Sequence, residues 1–215
     1  MLYIINFKTY EKGTGINALK LANIISDVRE ELKVDIWAAP QFVDLKEIAK
    51  IVPTLSQHID AISYGSNTGS ILPKSIKEAG AIGTLINHSE KKLSLQQIEA
   101  CINLAKQLDL KTVCCAADIK EAMEISKFSP DYIAFEDPEL IGTGKSISQT
   151  KPELVSRFVE ILKELNPDII PLCGAGISKK KDVKKAEELG AKGVLVASAV
   201  VKAENQREAL LNLVL

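Results

Sequence analysis

Short apolar runs alternate with longer amphipathic stretches along the chain. The runs cover residues 3–5, 35–38, 55–56, 83–86, 112–115, 132–135, 169–173 and 193–196. They are apolar nearly throughout, which predicts strands buried on both faces and hence parallel pairing through helical crossovers. Between them apolar residues recur at helical spacing over 16–31, 42–51, 73–79, 94–108, 118–127, 151–165, 178–189 and 205–213. Ser94 and Gln97 have the spacing of a capping box, in which each satisfies a helix-start amide for the other. Gly80 and Gly190 fall just past two predicted helices, where a left-handed residue ends the element. Eight strand–helix units in 215 residues give a mean period of about 27. The expected fold is α/β, a single-domain (β/α)8 barrel over residues 1–215, with parallel strands inside an outer ring of helices. An open doubly wound sheet is the alternative, because periodicity does not reveal strand order. The run at 55–56 is short and polar, which makes the third and fourth units the least regular.

Composition narrows the classes. Lys and Arg total 27 against 28 Asp and Glu, a net charge of −1. A nucleic-acid binder needs a surplus of cations gathered on one face, so no nucleic-acid partner is expected. No run approaches the ~18 apolar residues of a membrane span, and the N-terminus lacks the charged and apolar regions of a secretory signal. A soluble, cytoplasmic protein with no membrane partner is expected. Cys101, Cys114, Cys115 and Cys173 form no C-x-x-C pair, and His58 and His88 stand far from them in sequence. Buried free thiols are therefore expected, with no zinc-ligand spacing. Cys114 and Cys115, adjacent in a strand, should face opposite sides.

Parallel α/β architectures place their active sites at the carboxyl ends of the strands. That rule selects Asn6-Phe7-Lys8, Asn87-His88-Ser89-Glu90, Glu136, Gly174-Ala175-Gly176 and Ala197-Ser198-Ala199. Glu136 is the oddest, because an ionised carboxylate directly after an apolar strand is costly without a role or a partner. His58, near the third strand, reads as structural. Lys179, Lys180 and Lys181 read as the solvated first turn of a helix. Residues 137–150 are far longer than the usual ~2–6-residue βα loop, which suggests a lid. Gly142 and Gly144 near its far end would let a backbone amide approach an anion.

These residues, in this order, resemble the triosephosphate isomerase family, in particular its short archaeal form. The matching pieces are Asn6 to Tyr10, Gly65 to Ser70, Asn87 to Glu90, Glu136 with Ile141-Gly142-Thr143-Gly144-Lys145, Cys173 to Ile177, and Ala197-Ser198. The resemblance implies a TIM barrel interconverting dihydroxyacetone phosphate and glyceraldehyde 3-phosphate in glycolysis and gluconeogenesis. It also implies that no metal and no organic cofactor is required, and a role for each residue. Glu136 would be the base and His88 a neutral electrophile, kept neutral by a short helix beginning there. Lys8 would supply fixed charge, and Asn6 a hydrogen bond to a substrate oxygen. Phe7, Ile141, Gly142, Gly176, Ala197 and Ser198 would contact substrate, the last five around its phosphate. Ser89 and Glu90 would support the catalytic groups.

Two positions depart from the family pattern. Asp137 stands where most members carry proline, placing an ionisable residue at the lid hinge, and Ala199 stands where archaeal members commonly have glycine. The loop 66–70 resembles the one that sets a threonine, here Thr68, beside a partner subunit's site, which implies a homo-oligomer, a dimer or a tetramer. Other readings stay open at this point. An epimerase would normally want metal ligands at strand ends, a Schiff-base aldolase a lysine inside the sixth strand, and an idle phosphate binder no intact Lys8, His88 and Glu136 set.

Overall fold

The computed structural model describes residues 1–140 and 142–214. Its eight strands are β1 (Leu2–Asn6), β2 (Asp35–Ala39), β3 (Leu55–Ser56), β4 (Gly83–Ile86), β5 (Lys111–Ala116), β6 (Tyr132–Phe135), β7 (Ile170–Cys173) and β8 (Gly193–Val196). All ladders are parallel, in the order β2-β1-β8-β7-β6-β5-β4-β3. The last seam, between β2 and β3, is made by one parallel bridge, Ala38 to Thr54, with the Ala38 N–H donating to Pro53 O at 3.0 Å. The sheet thus curls into the expected (β/α)8 barrel rather than the open alternative. Its weakest seam falls where the strand pattern was weakest, because β3 has only two residues with which to form a ladder.

The side-chain alternation of the strands divides the core in two. Leu2, Ile4, Trp37, Ala39, Leu55, Leu85, Val113, Cys115, Ala134, Leu172 and Leu195 pack together inside the barrel. Their neighbours Tyr3, Ile5, Ile36, Ala38, Ile86, Cys114, Ile133, Phe135 and Cys173 pack outward against the helices. Cys114 and Cys115 take opposite faces as expected, and all four cysteines are free and buried. The inward register brings Asn6, the last residue of β1, and Glu136, Gly174 and Ala197, each one step past its strand, to the carboxyl rim.

The outer helices are α1 (Ile16–Leu32), α2 (Phe42–Ile48), α3 (Pro73–Glu78), α4 (Leu95–Gln107), α5 (Ile119–Ser126), α7 (Pro152–Leu165), α8 (Lys180–Glu188) and α10 (Gln206–Leu211). Ser94 caps α4 in the predicted box: its side chain accepts from Gln97 N at 3.3 Å, while Gln97 Oε1 accepts from Ser94 N at 2.9 Å. Two short helices escape a reading based on apolar period: α6 (Ile147–Thr150) and α9 (Ser198–Val201). Each is a single turn, too short for a period to develop. Helix α6 takes up the last four residues of the predicted lid, so the irregular part of that connection ends at Ser146.

Candidate active site

A cavity of about 350 Å³ opens at the carboxyl rim and is lined by Asn6, Lys8, His88, Glu136, Gly142, Gly176, Ala197 and Ser198, among others. Residues drawn from strand ends remote along the chain therefore share one face, as the strand-end rule requires. Phe7 is the exception. Its amide still donates to Ala39 O at 3.0 Å, and its side chain follows Tyr3 and Ile5 outward, fully buried in the helix-facing core rather than at the cavity. Ile141 lies outside the described residues. Ser89 is half-buried beside His88.

Glu136 is the centre of the electrostatics. It is 3% exposed, its Oε2 is buried without a hydrogen-bond partner, and its Oε1 lies 3.6 Å from His88 Nε2. Burial pushes its carboxyl pKa above the ordinary glutamate value, and His88, the Cys115 thiol and Lys8 pull it back only in part. A thiol is a weak donor, which fits the unpartnered oxygen. Such a carboxylate holds its proton more tightly than one in water, which suits a general base working near neutrality. Gly174 makes room for it: a Cβ there would fall 2.5 Å from Glu136 Cγ.

His88 is oriented differently from the expectation. No helix begins there; the segment is one turn, closed by Lys91 N–H donating to His88 O at 2.8 Å. Instead, the Glu90 amide donates to His88 Nδ1 at 3.1 Å. An Nδ1 that accepts leaves the ring hydrogen on Nε2, the nitrogen facing Glu136 across the cavity. The Glu90 carboxylate, 3.8 Å from Nδ1 and 59% exposed, is too distant and too wet to outweigh that amide. The ring orientation thus results from a local hydrogen bond and not from a helix start.

Lys8 reaches the site with its side chain only 10% exposed, its Nζ 2.8 Å from Glu90 Oε1. Its backbone is left-handed, at φ 49°. That conformation costs a non-glycine residue about 1–2 kcal/mol and survives where the surroundings over-determine it. Here Lys8 N donates to Asn6 Oδ1 at 3.0 Å, while Gln57 Nε2 donates to Lys8 O at 3.0 Å and to Ala39 O at 2.9 Å. Gln57, one residue past β3, was absent from the sequence reading; only its position after a strand pointed to it, and that strand was the faintest.

Asn87 is also left-handed, at φ 62°. Its Nδ2 donates to Cys115 O and Glu121 Oε1, each at 2.9 Å, and its Oδ1 accepts from Leu93 N at 2.9 Å. Glu121 also accepts from Ala117 N at 2.7 Å and pairs with Lys92. Burial works to raise the Glu121 pKa, but these partners together hold it below its ordinary value. Other residues with positive φ, Lys33, Asp109 and Ser129, follow helix ends.

The opposite side of the cavity is small and cationic. Ala197 and Ser198 lead into α9, Lys202 stands over the Tyr10 ring at 5.5 Å, and Tyr10 and Lys202 both line the cavity. Gly176 has a packing reason to be glycine as well as the expected phosphate contact, since a Cβ would fall 1.9 Å from Lys145 O at the far end of the lid. His58 belongs to none of this; its Nε2 lies 3.1 Å from Asp60 Oδ1.

Fold and rim together define a (β/α)8 barrel with a carboxylate, an imidazole and a lysine around one cavity that opens at the carboxyl rim. A family model described as triosephosphate isomerase matches residues 1–214. The triosephosphate isomerase of Methanocaldococcus jannaschii is 51% identical over 216 residues, spanning 100% of this chain and 99% of its own. That of Methanobacterium bryantii is 48% identical, spanning 99% of this chain and 95% of its own. That of Methanothermobacter thermautotrophicus is 46% identical, spanning 99% and 94%. The chain belongs to the triosephosphate isomerase family.

Proposed function

We propose that this chain interconverts dihydroxyacetone phosphate and glyceraldehyde 3-phosphate, a step of glycolysis and, in reverse, of gluconeogenesis. The observation that carries this reading is the buried Glu136 carboxylate facing the Nε2 of His88 at 3.6 Å. Glu136 takes a proton from the carbon beside the substrate carbonyl and returns it to the neighbouring carbon. His88 gives its Nε2 hydrogen to the carbonyl oxygen and recovers one from the adjacent hydroxyl, so the proton count closes over the cycle. Lys8 stabilises the negative charge of the enediolate, and Asn6 holds a substrate oxygen. The phosphate lies against Gly142, Gly176, Ala197 and Ser198, where backbone amides and the start of α9 favour an anion. The lid over 137–146 covers the enediolate and keeps water out. Residues of this chain suffice for each of these steps.

Metal-free turnover of glyceraldehyde 3-phosphate tests the assignment. Glu136→Ala and His88→Gln should each lose at least ~10²-fold in kcat, the scale of a lost acid–base group. Wild-type activity in Glu136→Ala overturns the base assignment.

The same reading makes the chain a cytoplasmic homo-oligomer, a dimer or tetramer in which Thr68 meets a neighbouring copy. Supporting it, Ile16 is 66%, Val43 82% and Tyr64 72% exposed, an apolar cost that a partner surface would remove. Light scattering in solution checks this, and a monomeric mass discards it. Among the described residues no helix is long and apolar enough to cross a membrane.

A further inference from the structure

Asp137 follows the base directly and opens the lid, while Lys151 stands between α6 and α7 at the other end. Lys151 Nζ donates to Asp137 Oδ2 at 2.6 Å and to Glu139 Oε2 at 3.1 Å. The first contact is the shielded one: the Asp137 side chain is 11% exposed and that of Glu139 81%. Asp137 is engaged on every side. Its Oδ1 accepts from Glu139 N at 3.0 Å and its carbonyl from Leu140 N at 3.0 Å. Just before it, Glu136 N is fixed to Ala116 O at 2.9 Å. Lys151 is equally anchored, with its N–H on Ile147 O at 2.9 Å and its carbonyl accepting from Leu154 N at 3.1 Å. One side-chain contact therefore spans a connection of more than a dozen residues and joins two fixed points. The ionisable residue at the hinge is a clamped one.

We propose that Lys151 is a positioning residue for the base: by pairing with Asp137 it holds the two ends of the lid together and sets where the Glu136 carboxylate stands when the lid closes. This rests on Glu136 being the base. Clamped at its feet, the lid moves from its glycine-containing tip instead of fraying at its hinges. Removing the lysine would also leave a shielded carboxylate unpaired on the residue next to the base.

The test compares wild type with Lys151→Met, Lys151→Arg and Asp137→Asn/Lys151→Met, with Glu136→Gln alongside. Three quantities are measured: kcat and KM for glyceraldehyde 3-phosphate, the rate of tryptic cleavage after Lys145, and the thermal midpoint. Trypsin reads the lid cleanly, since Lys145 is its one basic residue before Lys151, and Lys151 precedes a proline. Lys151→Met should lower kcat about tenfold with KM changed less than about threefold, and speed cleavage several-fold, while the midpoint stays near wild type. Lys151→Arg should restore most of kcat. The double variant should recover part of kcat but keep the fast cleavage, because it removes the unpaired charge and not the loose hinge. Wild-type kcat and cleavage in Lys151→Met overturn the proposal, as does a kcat loss that follows a fallen midpoint with cleavage unchanged. Full turnover in Glu136→Gln would instead overturn the base reading, leaving the cleavage rates to judge the clamp by itself.

Discussion

The two corners of the candidate site are built in opposite ways. The corner formed after β1 and β4 is over-determined: Lys8 and Asn87 are held in left-handed backbones by Asn6, Gln57 and Glu121, and the His88 ring is set by the Glu90 amide. The corner formed after β6 and β7 is sparse. Glu136 has a buried oxygen with no partner, a glycine where a neighbour's side chain would be, and a following loop tied by a single lysine, Lys151, to Asp137 and Glu139. The contrast follows from the work each does. An electrophile and a cation act best as dipoles already in place, with no reorganisation left for the moment of reaction. A base must reach two carbons in turn and be stripped of water to do so, which needs free space and few hydrogen bonds.

Three perturbations sharpen this contrast. The largest effect is expected from Gly174→Ala, whose methyl would lie 2.5 Å from Glu136 Cγ. It should lower kcat about 10²-fold by displacing the base while sparing KM, the scale expected for a misplacement near 1 Å. Steady-state kinetics decide it, and an unchanged kcat would mean the sparse corner tolerates crowding. Next comes Gln57→Leu, which takes the donor from Lys8 O and one of the two donors from Ala39 O, leaving the Phe7 amide on the latter. The cost of an unmet acceptor, about 1–3 kcal/mol, should lower kcat/KM about tenfold. In a Lys8→Ala background the same change should add less than threefold, because Gln57 acts through Lys8. Additive losses would show it to be general scaffolding.

The smallest effect concerns stability. Burial raises the Glu136 pKa, so the folded state binds a proton more tightly than the unfolded chain. The stability tied to that proton is fully present below the unfolded value of about 4.3 and is lost as pH rises through the folded value. Glu136→Gln, neutral throughout, should melt higher than wild type near neutral pH. The difference should vanish near pH 3.5. A variant less stable at neutrality would mean the carboxylate is well solvated. The acid limb of wild-type kcat/KM should correspondingly lie above pH 4.3, since the base must be ionised to act.

The eight strand–helix units, the opposite faces of Cys114 and Cys115 and the rim addresses of Lys8, His88 and Glu136 were all legible in the sequence. Each depends on a period of two or 3.6 residues, or on the single rule that parallel folds use their carboxyl ends. Phe7 was expected at the substrate by resemblance, whereas the alternation that turns Tyr3 and Ile5 outward carries it outward as well. The one-turn helices α6 and α9 were missed because a single turn is too short for a period to develop. Barrel closure, the His88 Nδ1–amide bond, the grip of Gln57 on Lys8 and the Asp137–Lys151 pair were decided only by the tertiary structure. They join residues 14 to 49 positions apart, or form within a loop whose shape the surrounding barrel imposes. Hydrophobic period is a local property, carried by each segment alone. A hydrogen bond between distant side chains exists only once the core has brought their strands together.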